Sequence, residues 1–290
     1  MGRGGGGRRA PPVGRRRAPA AFDRPAAAGG AAGGRGRVSA GPAVTGVVLA
    51  GGRGTRLAPL TAGTSKQLLP VAGRPLVARV IAQLVRAGVR DVLLVIDERH
   101  ASGFLEALRD GRDLGLRSLA YVWQPSSARG MPSAIAQAEH HVRTDGLLVA
   151  CGDVLIEGSL RPAVTAFASR PEGARIIAAR VPDTAAHTPL TVRGDRVVAL
   201  GDKDPDRHAP GLIDLGCYLY HRDVFGEIRM LRPSARGETE IWDLNRRYAR
   251  RGELAVTEVA GWWSDVGGGL DAYRAADARY ARDRAVDAAH

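Results

Sequence analysis

The chain has 290 residues, enough for one large α/β domain or two small ones, and its 44% hydrophobic content is that of an ordinary globular protein. No apolar run reaches the roughly 18–20 residues that a membrane-crossing helix needs. Of the formal charge of +12, residues 1–43 hold +8 as nine arginines against one aspartate, so the rest of the chain has no general excess of positive charge for nucleic acid.

Residues 1–43 are built from Gly, Ala, Pro and Arg, and after Met1 only Val13, Phe22 and Val38 are large and apolar. Such a segment cannot offset its ordering entropy by burial, which predicts disorder. It has no apolar stretch of the secretory kind. No aromatics interleave its arginines, so it reads as a dispensable extension, and a nucleic-acid-binding arm is disfavoured.

Strand and helix signals alternate from Val44. "TGVVLA" (45–50) is short, β-branched and stopped by Gly51-Gly52, which predicts a buried strand. "RPLVARVIAQLVRAG" (74–88) has apolar residues at helical spacing and ends at Gly88, a C-cap residue. "DVLLVI" (91–96) predicts a second strand, residues 100–110 a helix, and "RSLAYVW" (117–123) a third strand. "MPSAIAQAEHHV" (131–142) predicts a helix and "GLLVACGD" (146–153) a fourth strand. Continuously apolar strands alternating with helices predict an α/β fold, a Rossmann-like, mostly parallel sheet with helices on both faces.

Antiparallel additions follow. "ARIIAARV" (174–181), "PLTVRGDR" (189–196) and "RVVAL" (196–200) predict pairing around Gly194-Asp195. "IDLGCYLY" (213–220) and "ELAVTEV" (253–259) predict strands; "TEIWDLNRRYARRG" (239–252) and "GGLDAYRAADARYARD" (268–283) predict helices. The expected organisation is one domain over 44–282 and a short tail over 283–290. Cys151 and Cys217 sit in apolar stretches and read as reduced packing residues of a cytoplasmic protein.

The first predicted strand runs into "AGGRGTRLAPLTAGTSKQLLP" (50–70), a glycine-rich loop at the place where open α/β sheets bind ligands. Glycines let backbone N–H groups approach phosphate, and Arg53 and Arg56 add charged donors. The loop is no Walker A motif, because Lys66 lies far from the glycines and precedes Gln67. It is no dinucleotide fingerprint either, because the third glycine is missing and Pro59 interrupts. Of 42 basic residues only Lys66 and Lys203 are lysine. In a chain so biased to arginine, a lysine marks a place that wants a compact ammonium.

The run "LAGGRGTRLAPLT…SKQLLPVAGRPL" resembles the signature of sugar-1-phosphate nucleotidylyltransferases, and Ser65-Lys66-Gln67 is closest in style to glucose-1-phosphate thymidylyltransferases. The resemblance implies a nucleotidyltransferase fold and transfer of a nucleotidyl group from dTTP to a sugar 1-phosphate, most simply glucose 1-phosphate. It implies Arg56 and Lys66 as catalytic residues and Gly51, Gly52, Gly54 and Thr55 as nucleotide-binding. "QPSSARGMPSAI" implies that Gln124 reads the pyrimidine edge and Gly130 admits the nucleoside. "CGDVLIEG" and "WWSDVG" imply Asp153 and Asp265 as ligands of Mg²⁺. Asp202, Lys203 and Arg236 fall where the family contacts the sugar phosphate. A homo-oligomer is also implied.

The departures from the family pattern cluster on the sugar side. "HTPLTV" replaces a Tyr-Gly-Val segment, Asp202-Lys203-Asp204 replaces Glu-Lys-Pro, and Leu215-Gly216 replaces Thr-Gly. Val154 replaces an asparagine after the first metal-site aspartate. Three readings therefore stand: the thymidylyltransferase, the same reaction class with UTP or another sugar 1-phosphate, and a non-catalytic nucleotide- or sugar-phosphate-binding paralogue. Both aspartates and both lysines are kept, which argues against the third.

Overall fold

A computed structural model describes residues 1–2, 44–52 and 54–288; residues 3–43 of the segment read as disordered, Arg53 and residues 289–290 lie outside them. β1 (Val44–Leu49) is buried along its whole length, as its unbroken apolar sequence requires of a central strand. A minor hairpin of β2 (Pro70–Val71) and β3 (Arg74–Pro75) precedes α1 (Leu76–Arg86). α1 buries Leu76, Val77, Val80, Ile81 and Leu84 along one face, and the chain leaves it through Gly88 at φ 96, a conformation glycine adopts without a Cβ clash. β4 (Asp91–Ile96), α2 (Ala101–Leu108), β5 (Ser118–Trp123), α3 (Met131–Ala136) and β6 (Gly146–Cys151) complete the first half.

The second half holds β7 (Val154–Ile156), α4 (Arg161–Ser169), β8 (Ala174–Val181), β9 (Pro189–Arg193), β10 (Arg196–Leu200) and β11 (Gly211–His221). α5 (Val224–Arg229), α6 (Ile241–Arg250), β12 (Leu254–Glu258), β13 (Trp263–Asp265) and α7 (Leu270–Ala288) follow. The main sheet has nine strands in the order β5-β4-β1-β6-β11-β8-β12-β10-β9. The first four are mutually parallel. β11 runs antiparallel to β6 and β8, β12 parallel to β8, and β10 antiparallel to both β12 and β9. The sheet is thus a parallel half joined to a mixed half, and the hairpin across Gly194-Asp195 curls back so that β9 also pairs antiparallel with β11.

Alternating residues of β1 feed two cores. Val48 packs with α1, Phe104 of α2 and Phe167 of α4 on one face; Val47 packs with Ile135 of α3, Phe225 of α5 and Leu244 of α6 on the other. Two of the expected helices differ in extent, and β2, β3, β7, α4, α5 and β13 are additional to the sequence reading. The helix expected over 131–142 stops at Ala136, because Gln137 and Ala138 already bond three residues back and the chain tightens into a 3₁₀ turn, Glu139–His141. α7 continues to Ala288, past the expected boundary at 282.

One buried amide ties the α1 layer to the short strand that leads out of the site. Gln83 of α1 is 4% exposed. Its Oε1 accepts from the Ile156 N–H at 2.5 Å and its Nε2 donates to the Val154 carbonyl at 3.4 Å, so it serves both ends of β7. Gln83→Leu keeps the volume and removes the partner of a buried N–H. The expected cost is about 1–3 kcal/mol in urea unfolding. A change below about 0.5 kcal/mol, the range of ordinary surface substitutions, would show that β7 is held by packing alone.

Candidate active site

The glycine loop leaves β1 between the carboxyl ends of β4 and β6: Ala50 N–H donates to the Val95 carbonyl at 2.8 Å, and Gly152 N–H to Leu49 at 2.8 Å. The glycines have separate jobs. A Cβ on Gly51 would lie 2.3 Å from Gln124 Oε1, so the glycine lets that amide lie across the loop. Gly54 takes a left-handed conformation at φ 62, and its carbonyl accepts from Thr61 Oγ1 at 2.9 Å. Thr55 and Arg56 begin a 3₁₀ turn and stand exposed at the lip, anchored by the buried Leu57. From below, Gln67, 1% exposed, donates to the Gly51 carbonyl at 3.3 Å and is itself held by Ser65 Oγ at 2.5 Å.

The two aspartates are brought together by strand register. Asp153 directly precedes β7 and Asp265 ends β13; these strands pair antiparallel with Asp265 opposite Val154, and Val266 N–H donates to the Asp153 carbonyl at 3.0 Å. Lys66 Nζ forms an ion pair with Asp153 Oδ2, and the two side chains are only 20% and 10% exposed. Gly267 roofs the pair: a Cβ there would fall 2.0 Å from Asp153 Oδ2 and 2.9 Å from Lys66 Nζ.

The electrostatics follow from this crowding. Burial pushes the Lys66 ammonium toward losing its proton, but Asp153 beside it more than compensates and holds its pKa above the usual value. Burial and the neighbouring Asp153 push the Asp265 carboxyl up, against the pull of Lys66, Arg56 and Lys203. Two carboxylates that repel each other at one point suit a hard divalent cation. Among the described residues no cluster of three or more His, Cys, Asp and Glu is placed to hold a metal. A cation here would therefore complete its shell with water or phosphate oxygens, which is the habit of Mg²⁺.

Two clefts flank the loop. One, of about 450 Å³, is lined by Gly52, Asp97, Gln124, Pro125, Gly130 and Glu238 among others. The second, of about 340 Å³, contains Gly51, Lys66, Asp153, Asp265 and Lys203. They meet where the loop passes from Gly51 to Gly52 and where Gly130 leads to Met131. Both lysines of the sequence line the same cavity.

Gln124 lies in the first cleft with Nε2 donating to the Ala128 carbonyl at 2.7 Å. Gly130 lies there too, at φ 90, and its missing side chain has a local cause: a Cβ would sit 2.0 Å from the Thr239 carbonyl oxygen. Two expected sugar-phosphate residues stand outside both clefts. Arg236 pairs with the buried Glu240 at 2.7 Å and lies over the Trp242 ring at 5.4 Å. Asp202 is 87% exposed and accepts from Arg246 at 2.6 Å.

Sequence reasoning passed over Gly267, whose signal was the triple glycine directly after Asp265-Val266, and Gln67, the loop's support. It also passed over Asp214, Tyr218 and His187, which line the second cleft. Asp214 Oδ1 accepts from the Gly216 N–H at 2.7 Å and Oδ2 from Tyr218 OH at 2.8 Å; burial pushes its carboxyl up to about 6. A register shift makes this possible: Asp214 pairs with Ala178 but Tyr218 with Ile176, and Gly216 takes φ 69 in the bulge between. His187 stands edge-on to Trp263 at 5.4 Å, and burial together with Lys203 keeps its imidazole below the ordinary pKa.

The roof makes a test independent of any reaction. Gly267→Ala forces a methyl into Asp153 and should cost about 1–3 kcal/mol of stability, as overpacking does. Gly269→Ala, with open space at the same distance, is the control. Equal melting temperatures for the two variants would show that the close approach at Gly267 is not tight.

Known proteins of similar sequence and fold identify the family. The sequence profile described as Nucleotidyl transferase matches residues 45–283. A glucose-1-phosphate thymidylyltransferase of Actinoplanes sp. is 36% identical, over 80% of this chain and 77% of that protein. One from Mycolicibacterium smegmatis is 37% identical over 77% of each. A solved structure from Bacillus anthracis, assigned as a glucose-1-phosphate thymidylyltransferase and in complex with a sucrose, superposes with a TM-score of 0.75 at 33% identity, over 83% of this chain and 96% of that one. UDP-glucose pyrophosphorylase complexed with UDP-glucose shares the fold, with a TM-score of 0.70 at 19% identity over 83% and 99%. The chain belongs to the nucleotidyl transferase family and is an enzyme of that class.

Proposed function

We propose that the enzyme transfers the thymidylyl group of dTTP to a sugar 1-phosphate of the glucose type, releasing pyrophosphate and a dTDP-sugar. The observation that carries this reading is the convergence of Lys66, Asp153, Asp265 and Lys203 in one cleft that opens onto the glycine loop. The names of the relatives supply the nucleotide and the sugar.

The chemistry needs no protein nucleophile. An oxygen of the sugar phosphate attacks the α-phosphorus of the nucleotide, and the bond to pyrophosphate breaks. Both reactants are anions, so the site must position them and neutralise charge. The loop amides and Arg56 take the departing phosphates. Lys66 has three donors, so one ammonium serves Asp153 and a phosphate oxygen together. Lys203 holds the sugar phosphate. Asp153 and Asp265 would hold Mg²⁺, which when bound neutralises phosphate charge and aligns the reacting oxygens. Gln124 offers Oε1 to the N3–H of a pyrimidine and its remaining Nε2–H to a ring carbonyl, a pattern that thymine and uracil satisfy. Both cysteines are free, which suits a cytoplasmic enzyme, and a homo-oligomer is the assembly the family resemblance implies.

Pyrophosphate release over a matrix of dTTP, UTP, GTP and ATP with several sugar 1-phosphates is the primary test. We expect dTTP with glucose 1-phosphate to be turned over, and EDTA to abolish turnover. Equal use of GTP and dTTP would refute the base assignment, and EDTA-resistant turnover the metal site. Lys66→Arg tests the mechanism more sharply. The guanidinium is wider than the ammonium, and the Gly267 roof leaves it no room, so the nucleotide is pushed off line; a misplacement near 1 Å costs on the order of 100-fold in turnover. Turnover within about threefold of the parent, against that 100-fold, would show that charge alone suffices.

A further inference from the structure

The second cleft carries a charge that the reaction leaves idle. Asp214 faces a cavity whose other task is to hold a phosphate, and a carboxylate repels phosphate. Among the described residues no cation forms an ion pair with Asp214; Lys203 acts on it only through space. Its partners, the Gly216 N–H and Tyr218 OH, fix its direction and leave one lone pair free on each oxygen. Tyr218, Trp242 and Trp263 line the same cleft, together with Thr188, Leu215 and Ile241. His187 is held below its ordinary pKa, so it adds no second positive charge near neutrality. The cleft therefore holds a lysine for an anion and a carboxylate that, among the described residues, has no charged partner of its own, which suits a cation.

We infer that the cleft selects a sugar 1-phosphate bearing a protonated amino group, with Lys203 on the phosphate and Asp214 on the ammonium. The inference rests on the reading of this cleft as the sugar side of a thymidylyltransferase, and it goes further by naming the sugar class and the selecting residue. A zwitterionic sugar matches the Lys203–Asp214 pair in sign at both ends. Glucose 1-phosphate offers Lys203 its phosphate but gives Asp214 only neutral hydroxyl donors, which make the weaker contact. The bulge at Gly216 draws together Asp214 and Tyr218, which a regular strand would hold on one face but about 13 Å apart, so that they hydrogen-bond in the cavity. The ionised form is present near neutrality despite burial, since the carboxyl titrates at about 6.

The test uses the full chain with dTTP and Mg²⁺ and reads kcat/KM by pyrophosphate release. The sugars are glucose 1-phosphate, its 2-, 3-, 4- and 6-monoamino analogues, and the N-acetyl derivative of each, which keeps the nitrogen and removes the charge. One amino analogue should exceed glucose 1-phosphate by roughly tenfold or more, its N-acetyl form should not, and Asp214→Asn should bring the ratio close to one, as expected for a charge-assisted contact. If Asp214→Asn does not fold, Tyr218→Phe keeps the carboxylate and must keep the preference, and the comparison of amino with N-acetyl sugars on the parent enzyme decides. A preference for glucose 1-phosphate over every amino analogue, an equal gain from the N-acetyl form, or a ratio that survives Asp214→Asn overturns the inference and leaves the thymidylyltransferase reading standing. No pyrophosphate with any sugar 1-phosphate overturns that reading, and the inference with it.

Discussion

The ion pair between Lys66 and Asp153 is the fixed point of the site. Both charges are largely withdrawn from water, and Asp265 adds a second carboxylate nearby. Desolvating such charges is costly, and removing one partner would leave the other uncompensated. The surrounding architecture serves to make the pair affordable. Lys66 arrives from the segment behind the glycine loop, Asp153 from the end of β6, and Asp265 from β13. Three separated stretches must converge, and each is tied down by backbone hydrogen bonds close to the charge it carries. The two glycines at the junction are consequences of the same constraint. Gly152 has no room for a Cβ against Leu49, and Gly267 none against Asp153.

The two halves of the sheet divide the work. The parallel half places loop after loop at its carboxyl edge, so the placement of the glycine loop, Gln124 and Asp153 follows from strand direction. The other half meets it at β11, which runs antiparallel to β6 and so presents its beginning at that same edge. This reversal lets Asp214 and Tyr218 face Lys66 and Asp153 across one cavity. β7 and β13 form a small separate ladder whose only evident role is to set the spacing of the two aspartates.

The fold and the phosphate side were legible in the sequence because their signals are local. β1, β4 and β6 are short, mostly apolar runs, α1 has a clear apolar face, and the glycine loop declares its own backbone geometry. Asp153 and Asp265 were legible through the motifs around them, although nothing local says that they meet. What was hidden depends on non-local contact. Arg236 looked free for a ligand but has a buried carboxylate four residues on, and Asp202 looked like a site residue but faces Arg246 of α6 at the surface. Gly130 was read as making room for a nucleoside, and its tightest neighbour is the Thr239 carbonyl. Asp214 could not be found at all, because its position depends on a register shift that alternation of side chains does not encode.

The arginine bias acquires a physical meaning once the partners are known. Arg79, Arg90 and Arg175 reach backbone carbonyls. Arg117, Arg180, Arg229, Arg236, Arg246 and Arg251 meet carboxylates, often with two nitrogens, as a planar fork does best. Most of these sit at the surface. The two lysines do something else. Both line the ligand cavity, and neither takes part in such a fork. Under the Gly267 roof there is space for one compact ammonium and no plane of nitrogens, and an ammonium paired with Asp153 still has donors pointing in other directions. A chain that uses arginine nearly everywhere for static contacts keeps its two lysines in one cavity.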